Sequence, residues 1–195
     1  MVAMPNPIPH FSKSEYVARE NEAQTKSEHI NGEIYAMAGG SPRHAEIGGN
    51  AYAALHTQLR GKPCRPFNSD LRLEVLETKA TFYPDVSVVC PPLEYSADDA
   101  YALTNPVVLI EVLSPSTETF DRGAKWAHYQ RIPSLRDYVL ISQNVMRVEH
   151  YARQPDNSWL LRVYEQASDA AILESVDCRL LLEEVYERVT FEEST

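Results

Sequence analysis

Apolar residues recur along the chain with two different spacings, which predict its helices and strands. In residues 41–61 an apolar residue returns every four positions, the spacing of one buried helix face: Ile47, Ala51, Leu55 and Leu59. Ser41 with the following proline opens this segment and Gly61 closes it, which are typical start and stop signals of a helix. Further helices are predicted over residues 10–23, 119–132 and 180–189, the first beginning with a capping-box pattern.

Strands are predicted where apolar and polar residues alternate, or where a short apolar run is bounded by turn residues. Asn31-Gly32 lies between two alternating segments of residues 27–39, which is the strongest local signal for a β-hairpin. A second hairpin is predicted over residues 147–165, around Pro155-Asp156-Asn157. Residues 70–77 alternate as a half-buried strand, and further strands are expected within residues 83–90, 107–113 and 137–142.

The order of these elements predicts one α+β domain. The strands are grouped between helices and do not alternate with them strictly. A chain of 195 residues suits one domain with a sizeable core, and its hydrophobic content of 44% and charged content of 24% are ordinary for globular proteins. We expect the domain to occupy residues 11–190, after a tail of residues 1–10.

The strand predicted over residues 107–113 contains one carboxylate, Glu111, among six apolar residues. An ionised carboxylate inside a doubly buried strand costs on the order of several kcal/mol unless a positive group meets it. Asp85 follows a proline at the start of the preceding strand, where a single acid is more often a turn residue. If the two strands are neighbours, Asp85 and Glu111 converge. Paired carboxylates bind Mg²⁺, which activates water and stabilises charge on a phosphoryl oxygen.

Pro-Asp at residues 84–85, followed downstream by Glu111, resembles the PD-(D/E)XK nucleases. Their signature continues from the glutamate as Glu-x-Lys, but Leu113 stands at the lysine position of this chain. Lys125 lies in the next predicted helix, in a stripe that recurs every four residues: Asp121, Lys125 and Tyr129. A lysine on that stripe could reach back to Glu111.

The whole arrangement looks like the Uma-two (Uma2) family of bacterial restriction endonucleases, in which the lysine has moved from the strand to this helix. The resemblance extends from about residue 11 to 190 and includes the blocks NGEIYAMAGGSPRH, YPDVSVV, PVVLIEVLSPST and DRGAKWAHYQRIPSLRDYVLIS. It implies a restriction-endonuclease-like mixed β-sheet flanked by helices, a DNA substrate and Mg²⁺ or Mn²⁺ as cofactor. By the same resemblance, Asp85 and Glu111 would hold the metal, and Lys125 would position the attacking water or stabilise the transition state.

Glu33 and His44 match further polar positions of the family and are additional catalytic candidates. Each candidate also has an ordinary structural interpretation. Glu33 would be an exposed hairpin charge, and His44 a core or capping histidine. Glu111 would form a buried ion pair with a lysine or arginine, and Lys125 would be a solvated helix residue. Asp70, at the head of residues 70–77, is either a turn acid or a further metal-site group.

The net charge of −10 leaves two other kinds of function open, because phosphate contacts normally need a basic surface. One is a binding or regulatory module with the same fold and no turnover, or an interaction protein in which Glu111 is merely salt-bridged. The other is a phosphohydrolase of small nucleotides. A DNA substrate would require cations beside Asp85, and the nearest in sequence are Arg122, Lys125, Arg131 and Arg136.

The cysteines and the apolar runs predict a cytoplasmic protein. Cys64, Cys90 and Cys178 are odd in number and form no CxxC pair, which argues against a disulfide framework and a zinc site. No apolar run approaches the roughly 20 residues of a membrane span, and the first residues lack a signal-peptide pattern. A homodimer is expected, since two cuts on a duplex suit a two-fold protein.

Overall fold

The two longest helices form where the apolar spacing predicts them. A computed structural model describes residues 9–191 and places α1 at Lys13–Glu22 and α2 at Pro42–Leu59. Ser12 and Glu15 form the expected capping box of α1, and the Ser41 side chain accepts a hydrogen bond from the N–H of His44 at the start of α2. The apolar stripe of α2 is buried, as predicted.

The predicted helix over residues 119–132 is built from three consecutive pieces. These are α3 (Glu118–Phe120), a π-helical segment (Asp121–Lys125) and α4 (Trp126–Tyr129). We call residues 118–129 the lysine helix. Segments of π-helix inside α-helices occur frequently at functional sites. Here the π-helical segment has both of its end residues buried.

Thirteen strands occur within residues 9–191. In chain order they are β1 (Ser27–Ile30), β2 (Glu33–Ala36), β3 (Arg65–Asn68), β4 (Arg72–Val75), β5 (Ala80–Phe82), β6 (Val86–Val89), β7 (Ala102–Leu103), β8 (Pro106–Leu113), β9 (Asp137–Ser142), β10 (Val148–Arg153), β11 (Trp159–Tyr164), β12 (Ala170–Leu173) and β13 (Cys178–Leu181). A short 3₁₀ helix, Glu174–Val176, and α5, Leu182–Val185, complete the elements.

The strands form three sheets. The largest has the order β11-β10-β9-β8-β6-β3, with β8 and β9 parallel and its other neighbours antiparallel. A five-stranded sheet has the order β2-β1-β5-β4-β7, and β12 pairs with β13. The architecture is therefore α+β with mixed sheets and flanking helices, as predicted. None of the helices in the described range is long and apolar enough to cross a membrane.

The six-stranded sheet has a separate apolar cluster on each face, and β8 contributes to both. Val108, Ile110 and Val112 pack with α2 and α5 in one cluster. Leu109 and Leu113 pack in the other cluster with residues of the five-stranded sheet and the lysine helix. Since side chains alternate along a strand, Glu111 shares the second face, toward the lysine helix.

Three details predicted from the sequence are wrong, because strand pairing between distant segments outweighs the local pattern. β4 is buried on both faces because it lies between β5 and β7, so the half-buried strand predicted over residues 70–77 is incorrect. The first residues of the predicted helix 180–189 belong to β13, which leaves only the short α5. Cys64 and Cys90 form a disulfide, against the expectation from cysteine number and spacing. The register of β3 against β6 pairs Arg65 with Val89 and thereby brings the flanking cysteines together.

Candidate active site

Asp85 and Glu111 lie at the same end of two neighbouring strands. β6 runs antiparallel to β8 with Val86 opposite Ile110, so the residue before Val86 reaches the stretch of β8 around Glu111. Asp85 Oδ2 accepts a hydrogen bond of 2.7 Å from the backbone N–H of Val112. This bond fixes the Asp85 carboxylate beside the backbone of Val112, the residue that follows Glu111.

The Glu111 side chain is almost fully enclosed, at 4% residue exposure. Its Oε1 accepts a hydrogen bond of 2.7 Å from the hydroxyl of Tyr129 and lies 3.3 Å from Nζ of Lys125. Burial raises the pKa of Glu111 well above its ordinary value, although the Lys125 ammonium opposes this shift. The lysine helix therefore supplies both groups that meet this buried carboxylate.

Three carboxylates surround the ammonium of Lys125. Its Nζ lies 3.1 Å from Oδ1 of Asp121, 3.3 Å from Oε1 of Glu111 and 3.4 Å from Oε1 of Glu28. Burial alone would lower the pKa of Lys125, but the three carboxylates outweigh it and hold that pKa above its ordinary value. The lysine is thus charged, and it is aimed into the site instead of into solvent.

Glu28 on β1 is a member of this cluster that sequence reasoning did not single out. It is buried, and its Oε1 also accepts a hydrogen bond of 3.4 Å from the N–H of Tyr83. Burial raises the pKa of Glu28, while Lys125 lowers it. One signal was present in the sequence: Glu28 and Ile30 are two positions apart on a predicted strand, so the acid shares a face with an apolar residue.

His44, in the first turn of α2, reaches Asp85. Its Nε2 lies 3.4 Å from Oδ2 of Asp85. The hydrogen bond to Asp85 raises the pKa of His44 against the effect of burial, and the carbonyl of Val112 adds to this rise. A Cβ atom at Gly40 would lie 2.7 Å from Nδ1 of His44, so the glycine leaves room for the imidazole.

Glu33 and Asp70 lie elsewhere. Glu33 is on β2, where its side chain accepts a hydrogen bond from the hydroxyl of Tyr35. Asp70 is in an exposed turn and is paired with Lys26, whose hydrogen bond lowers the pKa of Asp70. Within residues 9–191 the structure does not bring either acid into contact with Asp85 or Glu111, and their suggested roles remain predictions.

The donor set fits a hard divalent cation held by two carboxylates. The hydrogen bonds within residues 9–191 use Oδ2 of Asp85 and Oε1 of Glu111, which leaves Oδ1 and Oε2 for a ligand. No group of three or more His, Cys, Asp and Glu side chains in that range has metal-binding geometry. Because Mg²⁺ commonly binds through one or two carboxylates and keeps several waters, the pair is sufficient for it.

The cations expected beside Asp85 are largely neutralised by acids. Arg122 pairs with Glu118 and Glu149, and Arg131 pairs with Glu77. The guanidinium of Arg136 instead donates to backbone carbonyls of residues 133 and 135. The predicted basic rim is therefore not formed by these three arginines.

Comparison with protein families matches residues 13–180 to the Uma2 family, described as "Putative restriction endonuclease". The chain is 36% identical over 185 residues to the uncharacterized protein slr1290 of Synechocystis sp. (strain PCC 6803), covering 95% of this chain and 96% of that protein. It is 40% identical over 151 residues to the uncharacterized protein sll1609 of the same organism, covering 77% and 85%. The family resemblance seen in the sequence blocks is confirmed.

The fold matches the crystal structure of a putative nuclease belonging to DUF820 from Anabaena variabilis. The TM-score is 0.75, and the match covers 92% of this chain and 99% of that chain. The two sequences are 17% identical, so the match concerns the fold alone. It confirms the predicted restriction-endonuclease-like class with mixed sheets and flanking helices.

Proposed function

Because the chain belongs to the Uma2 restriction endonuclease family, we propose that it hydrolyses phosphodiester bonds in DNA with Mg²⁺ or Mn²⁺. The observation that carries this proposal is the meeting of three groups at one sheet end. Asp85 is bonded beside β8, and Glu111 on β8 contacts Lys125 from the lysine helix at 3.3 Å. Two carboxylates can hold a divalent ion, and an ammonium beside them can stabilise negative charge, which together suit metal-assisted phosphodiester hydrolysis.

Asp85 and Glu111 would hold the ion through the oxygens that their hydrogen bonds leave open. When bound, the ion supplies an acidified water and charge stabilisation at a phosphoryl oxygen. Lys125 is fixed by its three carboxylate neighbours, so its ammonium is already oriented before substrate arrives. Such preorganisation lets it position the attacking water or stabilise negative charge without a conformational cost.

His44 would act as a proton donor in the same site. In the metal-free protein Asp85 favours the protonated imidazole, since the hydrogen bond between them raises the pKa of His44. A cationic donor at this position could protonate the departing oxygen of the cleaved strand. This role extends the sequence-based suggestion that His44 is catalytic.

Nicking of supercoiled plasmid during a Mn²⁺ titration tests the proposal. Wild type should convert plasmid to open-circular and linear forms, and Asp85→Ala should lose this activity. Asp177→Ala is a matched control, because that acid is exposed and paired with Lys62. Metal binding without cleavage by wild type would instead identify an inactive module of the same fold.

A small-nucleotide phosphohydrolase is the second candidate, favoured by the salt-bridged arginines. Arg122 and Arg131 are engaged by acids and offer little charge to a long polyanion. A mononucleotide needs far fewer phosphate contacts. Release of phosphate from nucleotides, without nicking of plasmid or oligonucleotides under the same conditions, would favour this candidate over the nuclease.

A further inference from the structure

A cavity of about 560 Å³ opens at the carboxyl ends of the parallel strands β8 and β9. Pro115, two residues after β8, and Gln143, which follows β9 directly, line this cavity. Ser41, the N-cap residue of α2, lines it as well. The cavity therefore lies where two strand ends meet the positive end of a helix of 18 residues.

The cavity shares this end of the sheet with the candidate active site. Leu140 of β9 lies opposite Glu111, so Gln143 is three residues beyond the level of that carboxylate. At about 3.3 Å per residue, this separation is roughly 10 Å along the sheet. One strand of DNA advances about 3.4 Å per nucleotide along the helix axis. A DNA strand held at Glu111 would therefore bring a phosphate roughly three nucleotides away to the cavity.

The side-chain amide of Gln143 is a buried donor that lacks a partner in the described part of the chain. Gln143 is only 7% exposed, and its Oε1 accepts a hydrogen bond of 2.7 Å from the hydroxyl of Ser41. This bond fixes the orientation of the amide, whose NH₂ group makes no hydrogen bond to any residue between 9 and 191. Since buried polar groups are normally hydrogen-bonded, the NH₂ group points to a ligand with acceptor oxygens.

The charges that line the cavity favour an anion. Arg43 and Arg188 line it together with one acid, Glu46. The guanidinium of Arg43 donates to the backbone carbonyl of Gln143 at 3.4 Å. Arg188 is largely exposed, and its pairing with the equally exposed Glu187 is loose, at 3.7 Å. Exposed ion pairs of this kind contribute little, so the guanidinium of Arg188 can turn to a phosphate.

We propose that this cavity binds a phosphate of the DNA strand that is cut, about three nucleotides from the scissile bond. This inference rests on the proposed nuclease function. The NH₂ group of Gln143 and the guanidinium of Arg188 would donate to the phosphate oxygens, and the positive end of α2 would add to the attraction. Phosphate contacts of this kind fix the register of DNA on a protein without reading its sequence. The cavity thus supplies a contact that the salt-bridged Arg122 and Arg131 do not offer.

Fluorescence anisotropy of a labelled DNA duplex tests the subsite, in EDTA so that no strand is cut. Gln143→Glu should raise Kd about tenfold or more, because it keeps an oxygen for the Ser41 hydroxyl and replaces the NH₂ donor with a carboxylate. Arg188→Gln should raise Kd and reduce the slope of log Kd against log salt by about 0.9, the value for one phosphate contact. Arg179→Gln, at an exposed arginine on β13, is the matched control and should change neither quantity.

NMR of the Gln143 side-chain amide distinguishes a strand phosphate from a free one. The resonance is identified by its loss in Gln143→Glu. Inorganic phosphate alone should shift it at high concentration, and the duplex should shift it at a far lower concentration. A shift by inorganic phosphate that the duplex does not reproduce would overturn the assignment to a DNA strand. No shift with either would overturn the site.

The two measurements separate failure of the subsite from failure of the nuclease. If wild type nicks plasmid, Arg188→Gln should raise KM with little change in kcat. Equal duplex affinity in wild type and Arg188→Gln would overturn the subsite and leave the nuclease proposal standing; because Arg188 is exposed, this result holds even if Gln143→Glu does not fold. Duplex binding that depends on Arg188, without nicking by wild type, would contradict the nuclease and retain the phosphate site.

Discussion

At the scale of single residues, the charges around Lys125 do not balance. Glu28, Glu111 and Asp121 face one ammonium, which leaves two negative charges uncompensated if all groups are ionised. Uncompensated charge is costly in a site that solvent hardly reaches. A divalent cation beside Glu111 would offset this cost. The excess negative charge therefore favours metal binding in the absence of substrate.

Glu111→Gln should abolish the rise in melting temperature that Mg²⁺ or Mn²⁺ causes in wild type. Ligand binding to the native state stabilises it by mass action, and the substitution removes a ligand charge. The metal-free variant should be as stable as wild type or slightly more stable, because repulsion with Asp85, Asp121 and Glu28 is relieved. Thermal unfolding with and without the ion measures both effects.

The stability difference between Glu111→Gln and wild type should depend on pH. Since the folded-state pKa of Glu111 is raised, ionisation of this group opposes folding. The contribution of Glu111 to stability is most favourable below the ordinary carboxyl pKa, where the group is protonated in both the folded and the unfolded state. This contribution is lost as pH rises through the folded-state pKa. The advantage of glutamine should therefore grow with pH over that window. If Mg²⁺ or Mn²⁺ raises the melting temperature of Glu111→Gln as much as that of wild type, Glu111 does not bind the metal.

Lys125→Ala should lower cleavage by a factor of about 10² to 10³, the usual cost of one lost acid–base or electrostatic contact. It should also lower the melting temperature of the metal-free protein, because three buried carboxylates then lose the one close cation that they have among residues 9–191. Mn²⁺ should recover more stability in this variant than in wild type. Lys62→Ala, at a partly exposed lysine paired with the exposed Asp177, is the matched control.

Leu113 stands where the PD-(D/E)XK signature has its lysine, so a lysine placed there tests whether Lys125 takes over that role from the helix. Leu113 shares a face of β8 with Glu111, toward the lysine helix. Leu113→Lys in the Lys125→Ala background should therefore restore part of the lost cleavage. Full activity of Lys125→Ala alone would contradict the assigned role of this lysine.

The sequence identified the residues of this site unevenly, for physical reasons. Asp85, Glu111 and Lys125 follow from the motif and from helical spacing, which are local patterns. Glu28 reaches Lys125 only because β1 pairs with β5, and this pairing joins residues far apart in the chain. The sequence left Asp70 as either a turn acid or a further metal-site group. In the structure it lies in a surface turn and pairs with Lys26.

At the scale of elements, the lysine helix is held on the sheet by aromatic rings. Trp126 stacks on Tyr138 of β9 with centroids 4.8 Å apart, and the hydroxyl of Tyr138 donates to the carbonyl of Asp121. Tyr129 adds its hydrogen bond to Glu111. These contacts fix the π-helical segment, so the position of Lys125 depends on the packing of the whole element.

The start of α2 offers a test of how an element positions His44. Gly40→Ala should displace the imidazole, because the new Cβ would lie 2.7 Å from Nδ1 of His44. The pKa of His44, followed by NMR, should then fall from its raised value toward its ordinary one as the contact with Asp85 is lost. Cleavage should fall with it. Gly39→Ala is the matched control, since its Cβ would meet no atom within 4 Å.

The sign of the accompanying pH effect on stability follows from the raised pKa. His44 stabilises the fold at pH values below its unfolded-state pKa, and this contribution is lost as pH rises through the folded-state value. Gly40→Ala should therefore lose stability mainly on the acidic side of neutrality. Equal His44 titration in wild type and Gly40→Ala would show that the glycine is not needed for this contact.

Elements with strong local signals were predictable, and elements defined by pairing were not. Residues 27–39 and 147–165 contain turn residues between alternating segments, and both formed hairpins. β5 and β7 have three and two residues, too few to show a period. At the C-terminus, pairing with β12 outweighed the helical spacing of residues 180–189 and extended the chain as β13.

At the scale of the whole molecule, the acidic surface and the acidic site have different consequences. The net charge of −10 works against binding of a polyanion, whereas the buried acids around Lys125 favour a cation. The salt bridges of Arg122 and Arg131 with acids reduce the basic surface further. A divalent ion held by Asp85 and Glu111 would reduce the negative charge of the site.

The disulfide between Cys64 and Cys90 ties β3 to β6, the strand that follows Asp85, and it should be detectable by thiol titration. Denatured but unreduced protein should show one reactive thiol per chain, that of the buried Cys178, whereas reduced protein should show all three. Reduction should lower the free energy of unfolding by about 3 kcal/mol, because the link closes a loop between residues 26 positions apart. Cys64→Ser should match reduced wild type. Three thiols in protein purified without reductant would contradict the disulfide and would agree with the reduced cytoplasm expected from the scattered cysteines.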